Sequence, residues 1–259
     1  NLHDFKLLGG FSQEWAHTNT LSAGRKVLLL DGIEVIDAGT DEITNGGSAE
    51  EWALRSFFGR INYNYDEKYL LEANVRYDGT SRFAKDNRWG CFPSFSAGWN
   101  FSKEKFMSFA DPVLQMAKLR ASWGELGNQN VGDNFYPYLV AIESVDKAYP
   151  IGNQLNTGFQ QIALGNKNIK WETIRMLNIG VDFALFNNRL TVSADWFKKN
   201  NMDALVRPSF PLVIGKWQKD SSRDYLPLEN LGEVESRGWE INLAWRDQIG
   251  CLLYTSPSP

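Results

Sequence analysis

Residues 56–78 read SFFGRINYNYDEKYLLEANVRYD, and this stretch decides the fold. From Tyr69 to Asp78, Tyr69, Leu71, Ala73, Val75 and Tyr77 alternate with Leu70, Glu72, Asn74, Arg76 and Asp78. Successive side chains of a strand point to opposite faces, so this segment has one apolar and one polar surface. Ser56 to Tyr65 repeats the pattern, with Phe57, Gly59, Ile61, Tyr63 and Tyr65 opposed to Ser56, Phe58, Arg60, Asn62 and Asn64. Only Asp66, Glu67 and Lys68 separate the two, which predicts a hairpin with a tight polar turn.

The same period-2 alternation recurs outward from this hairpin. Pro93–Phe101, Ala117–Trp123, Leu177–Leu185, Leu190–Trp196 and Trp239–Arg246 each place aliphatic and aromatic residues on one face and polar ones on the other. Phe5–Ser12 is a poorer example that fits. The expectation is about eight strands, many near the ~9–11 residues that cross a bilayer. The predicted connections differ in length. Asp66–Lys68 and Phe186–Arg189 are short; 102–116 is intermediate and reads as a short helix, with Phe106, Phe109, Val113 and Leu114 on one stripe; 19–50, 79–92, 127–168 and 203–228 read as long loops. Short turns at one end and long loops at the other are the habit of outer-membrane barrels, with the short turns periplasmic and the long loops extracellular. The predicted fold class is therefore all-β: a partial antiparallel up-and-down transmembrane β-barrel.

Composition narrows the function classes. Among 259 residues the formal net charge is −4, which argues against a nucleic-acid partner. Mean hydropathy is −0.37, and no apolar run is long enough for a transmembrane helix. Neither fact bears against a barrel, whose strands average a lipid-facing and a wet half. Trp, Tyr and Phe number 10, 9 and 16, and rings at strand ends suit the interface of a membrane. The two cysteines, Cys91 and Cys251, allow no disulfide framework, and His3 and His17 lack partners at metal spacing. No nucleophile motif, phosphate loop or dinucleotide fingerprint is present, so no catalytic residue, metal or cofactor is expected.

Several candidate sites have plainer readings. Glu233, Glu235 and Glu240 read as solvated or lumen-facing charge rather than an acid/base set. Asp78, Gly79, Ser81 and Arg82 read as a turn leaving a strand. Asp86/Asn87 and Asp133/Asn134 lack a full series of calcium ligands. The better candidates are loop aromatics: Tyr136 and Tyr138 in the segment FYPY (135–138), and Trp217. Their rings are suited either to stacking on a sugar or to packing against another loop or a partner.

Several phrases resemble one family. SFFGRINYNYDEKYLLEANVRYDGTSRF (56–83), FPSFSAGWNFSKEKFM (92–107), LRASWGELGNQNVG (119–132), NIKWETIRMLNIGVDFALFNNRLTVSADWF (168–197) and NLGEVESRGWEINLAW (230–245) are similar, in order, to SusC/RagA-family TonB-dependent transporters. The resemblance implies energised import of an oligosaccharide or peptide ligand across the outer membrane of a Gram-negative bacterium, of the Bacteroidota. It implies a SusD-like surface lipoprotein partner, contact with outer-membrane lipid, and a TonB complex reached through an N-terminal region that is missing here. The family carries a plug and a barrel of about 22 strands, so residues 1–250 are expected to be its middle-to-late strands. The other readings are a passive porin or barrel adhesin, and a soluble carbohydrate-binding β-sandwich.

Residues 251–259, CLLYTSPSP, break the strand pattern. One codon choice for Cys251–Ser256 spells the transposase end of a sequencing adapter, so this tail is expected to be read-through. The coding DNA is expected to show that codon choice; other codons there would overturn the reading. Residues 1–250 expressed alone are expected to leave unpaired strand edges that hydrocarbon does not tolerate. A heat-modifiable, membrane-resident species from that segment would refute this.

Overall fold

A computed structural model of the chain describes residues 2–28, 32, 35–110, 112–132, 135–152, 154–208, 227–249 and 253–254. Eight strands form one antiparallel sheet: β1 (His3–Leu28), β2 (Gly39–Tyr65), β3 (Tyr69–Thr80), β4 (Trp89–Asn100), β5 (Leu114–Asn128), β8 (Glu172–Leu185), β9 (Leu190–Val206) and β10 (Glu229–Trp245). β6 (Ala141–Ile151) and β7 (Gln154–Ala163) form a separate hairpin between β5 and β8, and β11 (Gln248–Ile249) pairs with β12 (Leu253–Tyr254). The large sheet is an up-and-down meander that does not close, with β1 and β10 at its edges. Each of the eight alternating segments matches one of its strands, with Phe101 and Arg246 one residue past the ends of β4 and β10.

Register shows why alternation builds a two-faced wall. One row across six neighbouring strands runs Tyr69, Trp99, Leu119, Val181, Ala194 and Ile241. The adjacent row runs Leu70, Gly98, Arg120, Gly180, Asp195 and Glu240. The first face is apolar and uncovered: Leu7 is 73% exposed, Phe95 53%, Ile241 71% and Leu243 66%. A soluble sandwich would lay a second sheet over such a surface, because water does not support an apolar patch of this extent. Among the described residues no element packs on it. Lipid is the solvent that suits it, with aromatic residues near both ends of the band. Tyr77 stacks on Trp89 at 4.9 Å, and beyond Trp123 the face turns to charge, where Arg175 pairs with Glu125 at 2.6 Å.

The opposite face is a hydrogen-bonded polar wall. Arg120 holds Asp182 through two bonds of 2.9 and 3.2 Å and Asp195 through one of 2.6 Å. Gly180 makes room for this: a Cβ there would lie 2.3 Å from Asp195 Oδ1 and 2.9 Å from Arg120 Cζ. Arg60 donates to Asn74 at 2.6 Å, and Asn74 to Glu72 at 2.7 Å. Arg76 Nε reaches both oxygens of Asp78 at 2.8 Å, and its Nη2 reaches Ser56 Oγ at 3.0 Å.

The two ends of the wall differ. At the short-turn end, Asp66 and Glu67 (φ 51° and 52°) and Asn187 and Asn188 (φ 57° and 63°) occupy the left-handed region. Asp and Asn tolerate that region better than most residues. Gln115 Oε1 accepts from the Asn187 N–H at 2.8 Å and steadies the second turn. Residues 102–116 correct the sequence reading: Phe101–Lys103 and Lys105–Ala110 are 3₁₀ turns, and β5 starts at Leu114. Six residues are too few to sustain an α-helix without a packed face, and Phe106 and Phe109 are exposed. Glu104 there accepts from the Tyr69 hydroxyl at 2.7 Å and the Trp99 indole at 3.3 Å, which holds its carboxyl below the usual carboxylate value.

The long-loop end departs further from expectation. Residues 19–50 are largely strand, because β1 and β2 continue past the band as a tall hairpin with Thr20 opposite Ser48. Residues 127–168 contain the β6–β7 hairpin. Most of 203–228, including Trp217, lies outside the described residues, as do Asp133, Asn134 and all of the 251–259 tail except Leu253–Tyr254.

The buried apolar cluster sits at this end, on the polar-wall side. Phe83 and Ile169 are fully buried and pack with Phe92, Val131 and Trp171, flanked by Leu54, Leu205 and Leu228. Trp171 meets Phe83 and Phe92 edge-on at 5.5 and 5.4 Å, and its indole donates to the Arg88 carbonyl at 3.0 Å. Phe92 also occupies the space over Gly127, where a Cβ would lie 2.1 Å from its ring.

Two outcomes are expected for the full-length protein in urea unfolding from detergent micelles or lipid. Phe83→Ala empties a fully buried ring site and should cost about 3–5 kcal/mol. Gly180→Ala should cost about 1–3 kcal/mol by overpacking the Arg120 network, and Gly180→Leu more.

Candidate functional site

The cluster above is a floor, and loop residues are fastened around it. Ser81 is clipped to β2 in both directions: its N–H donates to the Ala53 carbonyl and its Oγ accepts from the Ala53 N–H, each at 2.9 Å. Thr80 Oγ1 accepts from the Arg82 N–H at 3.2 Å, and Phe83 is locked in the floor. Asn87 Nδ2 donates to the Lys167 carbonyl at 3.1 Å, and Asn166 Nδ2 to the Leu228 carbonyl at 2.8 Å. Asn230 Nδ2 donates to the carbonyls of Lys170 and Asp203 at 3.0 and 2.7 Å. Short amides satisfying carbonyls across loops are what irregular backbone needs away from a strand ladder.

Arg82 emerges from this anchored stretch between two aromatic rings. Its Cζ lies 5.0 Å from the Trp52 ring and 4.7 Å from the Phe135 ring. Such stacking on ring faces is a favourable place for a guanidinium. Burial pushes its pKa below the ordinary arginine value, while Tyr136 acts weakly the other way. Its Nε is shielded from water and unbonded.

Tyr136 and Tyr138 stand beside this cation. Their rings meet edge-on at 6.2 Å, and both are half-buried. The Tyr136 hydroxyl donates to the Glu51 carbonyl, next to Trp52. The Asn166 N–H donates to the Pro137 carbonyl at 3.0 Å, which fixes the turn that carries both tyrosines. Tyr136 therefore packs a loop on the β1–β2 hairpin, and Trp217 is not among the described residues.

The other sequence candidates separate. Glu235 pairs with Lys198 at 3.0 Å on the outer surface, while Glu240 lies in the inner row opposite Asp195. These carboxylates share no site. Asp78 is bound to Arg76, and Asn87 is bonded to the Lys167 carbonyl. Arg82 is more than part of a turn, because Trp52 and Phe135 flank it. The pairing was invisible in the sequence, because Trp52 lies on β2 and Phe135 follows β5, with no local spacing to link them.

Comparisons with known proteins agree with this geometry. The family model described as TonB dependent receptor-like, beta-barrel, matches residues 4–256. TonB-dependent receptor P3 of Formosa agariphila is 32% identical over 247 residues, 95% of this chain and 23% of its own. TonB-dependent receptor SusC of Bacteroides thetaiotaomicron is 32% identical over 248 residues, 93% of this chain and 23% of its own. The solved structure of the RagAB peptide transporter matches with a TM-score of 0.82 at 24% identity, over 96% of this chain and 26% of that one. The chain thus spans about a quarter of the length of the relatives it matches. A two-faced, open wall of eight antiparallel strands with this family match belongs to the TonB-dependent receptor-like β-barrel family, with SusC among its relatives.

Proposed function

We propose that this chain forms part of the barrel wall of an energised outer-membrane importer that takes up oligosaccharides or peptides with a SusD-like surface lipoprotein and the TonB complex. The observation that carries the reading is the uncovered apolar face opposite a hydrogen-bonded polar face, on strands that belong to a TonB-dependent receptor barrel. The outer face then meets lipid of the outer membrane in a Gram-negative bacterium, of the Bacteroidota to which the resemblance points. The inner face lines the path or packs against a domain inside it. This stretch of wall performs no catalysis, and its contribution is to hold a passage and present loops.

Ligand contact is assigned to Tyr138, to Tyr136 beside it, and to Trp217. The sugar-or-peptide choice rests on loops and partners, so neighbouring genes carry it: glycan-cleaving enzymes beside a lipoprotein gene support an oligosaccharide, and peptidases support a peptide. The passive porin or adhesin reading has neither a plug nor energy coupling.

Two outcomes are expected. In the native host, deletion of the TonB energiser should abolish uptake at limiting ligand; uptake that stays proportional to concentration and indifferent to TonB would identify a porin. In the full-length receptor, Tyr138→Ala and Trp217→Ala should each weaken binding of the transported ligand by about 1–3 kcal/mol if the ring stacks on it. Equilibrium binding checks this, and unchanged affinity removes that residue from the site.

A further inference from the structure

Three arginines of the inner wall stand against acids. Arg76 faces Asp78, Arg120 faces Asp182 and Asp195, and Arg60 faces Glu72. Among the described residues Arg82 has no carboxylate partner, and its Nε is shielded from water with no hydrogen-bond partner. A cation partly removed from water without a counter-charge is unfavourable unless something else compensates. Two aromatic faces compensate in part, through the ring quadrupole.

The group is also held in place. The two-way Ser81–Ala53 clip precedes it and fully buried Phe83 follows it, so the loop backbone at Arg82 is anchored on both sides. The rings lie against the guanidinium and Nε is shielded from water, so the terminal nitrogens are the donors left for a ligand. An edge presenting paired N–H donors matches a planar acceptor with two oxygens, and a fixed fork loses less freedom on binding than a mobile one. The site lies beyond the polar inner face at the long-loop end, where Trp52 continues the inner row of β2 above Leu54 and Ser56.

We infer that Arg82, held between Trp52 and Phe135, is a carboxylate-recognition subsite, so that the imported ligand presents an acid group to the mouth of the barrel. This rests on the importer reading and narrows its ligand to acidic members. The carboxylate can come from a uronic sugar or from a peptide acid, and the subsite chemistry is the same for both.

The test uses the purified full-length receptor and saturation-transfer NMR titrations with paired probes: glucuronate against glucose, and N-acetyl-alanyl-alanine against its amide. At least one acid is expected to bind well ahead of its neutral partner, and which acid does so names the source. R82Q is expected to weaken that binding at least tenfold, as loss of a charge-assisted pair implies. F135L, which keeps the charge, should preserve the preference for acid. If R82Q does not fold, R82K decides: a drop of at least fivefold is expected from loss of the planar fork. Equal binding of acid and neutral probes by the wild type, no acid binding, or acid binding untouched by R82Q or R82K overturns the subsite. Failure of the importer reading shows separately, as uptake independent of TonB. Intact TonB-dependent uptake without acid preference overturns only the subsite.

Discussion

Hydrocarbon offers a backbone N–H or C=O no partner, so a chain that lies in it must pair every polar group with itself. An antiparallel ladder does this strand by strand, and the rest of the wall follows from that requirement. Pairing fixes the register, register aligns side chains into rows, and a period of two sends neighbouring rows to opposite faces. In this chain the row through Trp99 and Leu119 faces lipid while the row through Gly98 and Arg120 faces inward. A slip of one residue would bring Arg120 into the hydrocarbon, so the register is held by both solvents at once.

The inward rows show how charge is accommodated on such a wall. Arg120 would crowd its neighbours if every position carried a side chain. Gly98 and Gly180 flank it in the row, and the guanidinium uses the space over Gly180 to reach Asp182 and Asp195 on the next two strands. The pairing spans three strands, so it ties the ladder together from the side as well as satisfying the charge. Each such pair is worth little at an exposed surface, and more where water is thinned by packing. At the other end of the strands the logic changes to burial. Loops leave the ladder, lose its hydrogen bonds, and recover them through asparagine amides and the Trp171 indole around an apolar floor. Anchored loop bases with outward tips give a passage a fixed rim on which recognition groups can be placed.

Eight strands were legible because lipid and water impose a sharp contrast on alternate residues. Where that contrast fades, legibility fades too. The upper parts of β1 and β2, such as Thr18–Ser22, have water on both sides and no alternation to read, so they pass for a loop although they pair residue by residue. The stripe of Phe106, Phe109 and Val113 imitates a helix face, but the segment is too short and the next strand begins at once. Arg82 was visible as a residue and not as a site, since its environment is made by Trp52 and Phe135 from distant parts of the chain.

What the sequence determined by itself is the two-faced antiparallel wall, the end with tight turns, and the family likeness, because all three are written in local pattern and short phrases. Tertiary structure alone decided that, among the described residues, nothing packs on the apolar face and no acid pairs with Arg82 beside its two rings, and that the long-loop end is stapled over a floor of Phe83, Phe92 and Trp171. The division has a physical reason. Alternation acts between adjacent residues and survives in one dimension, whereas partners for a loop side chain are chosen by which strands the ladder brings side by side.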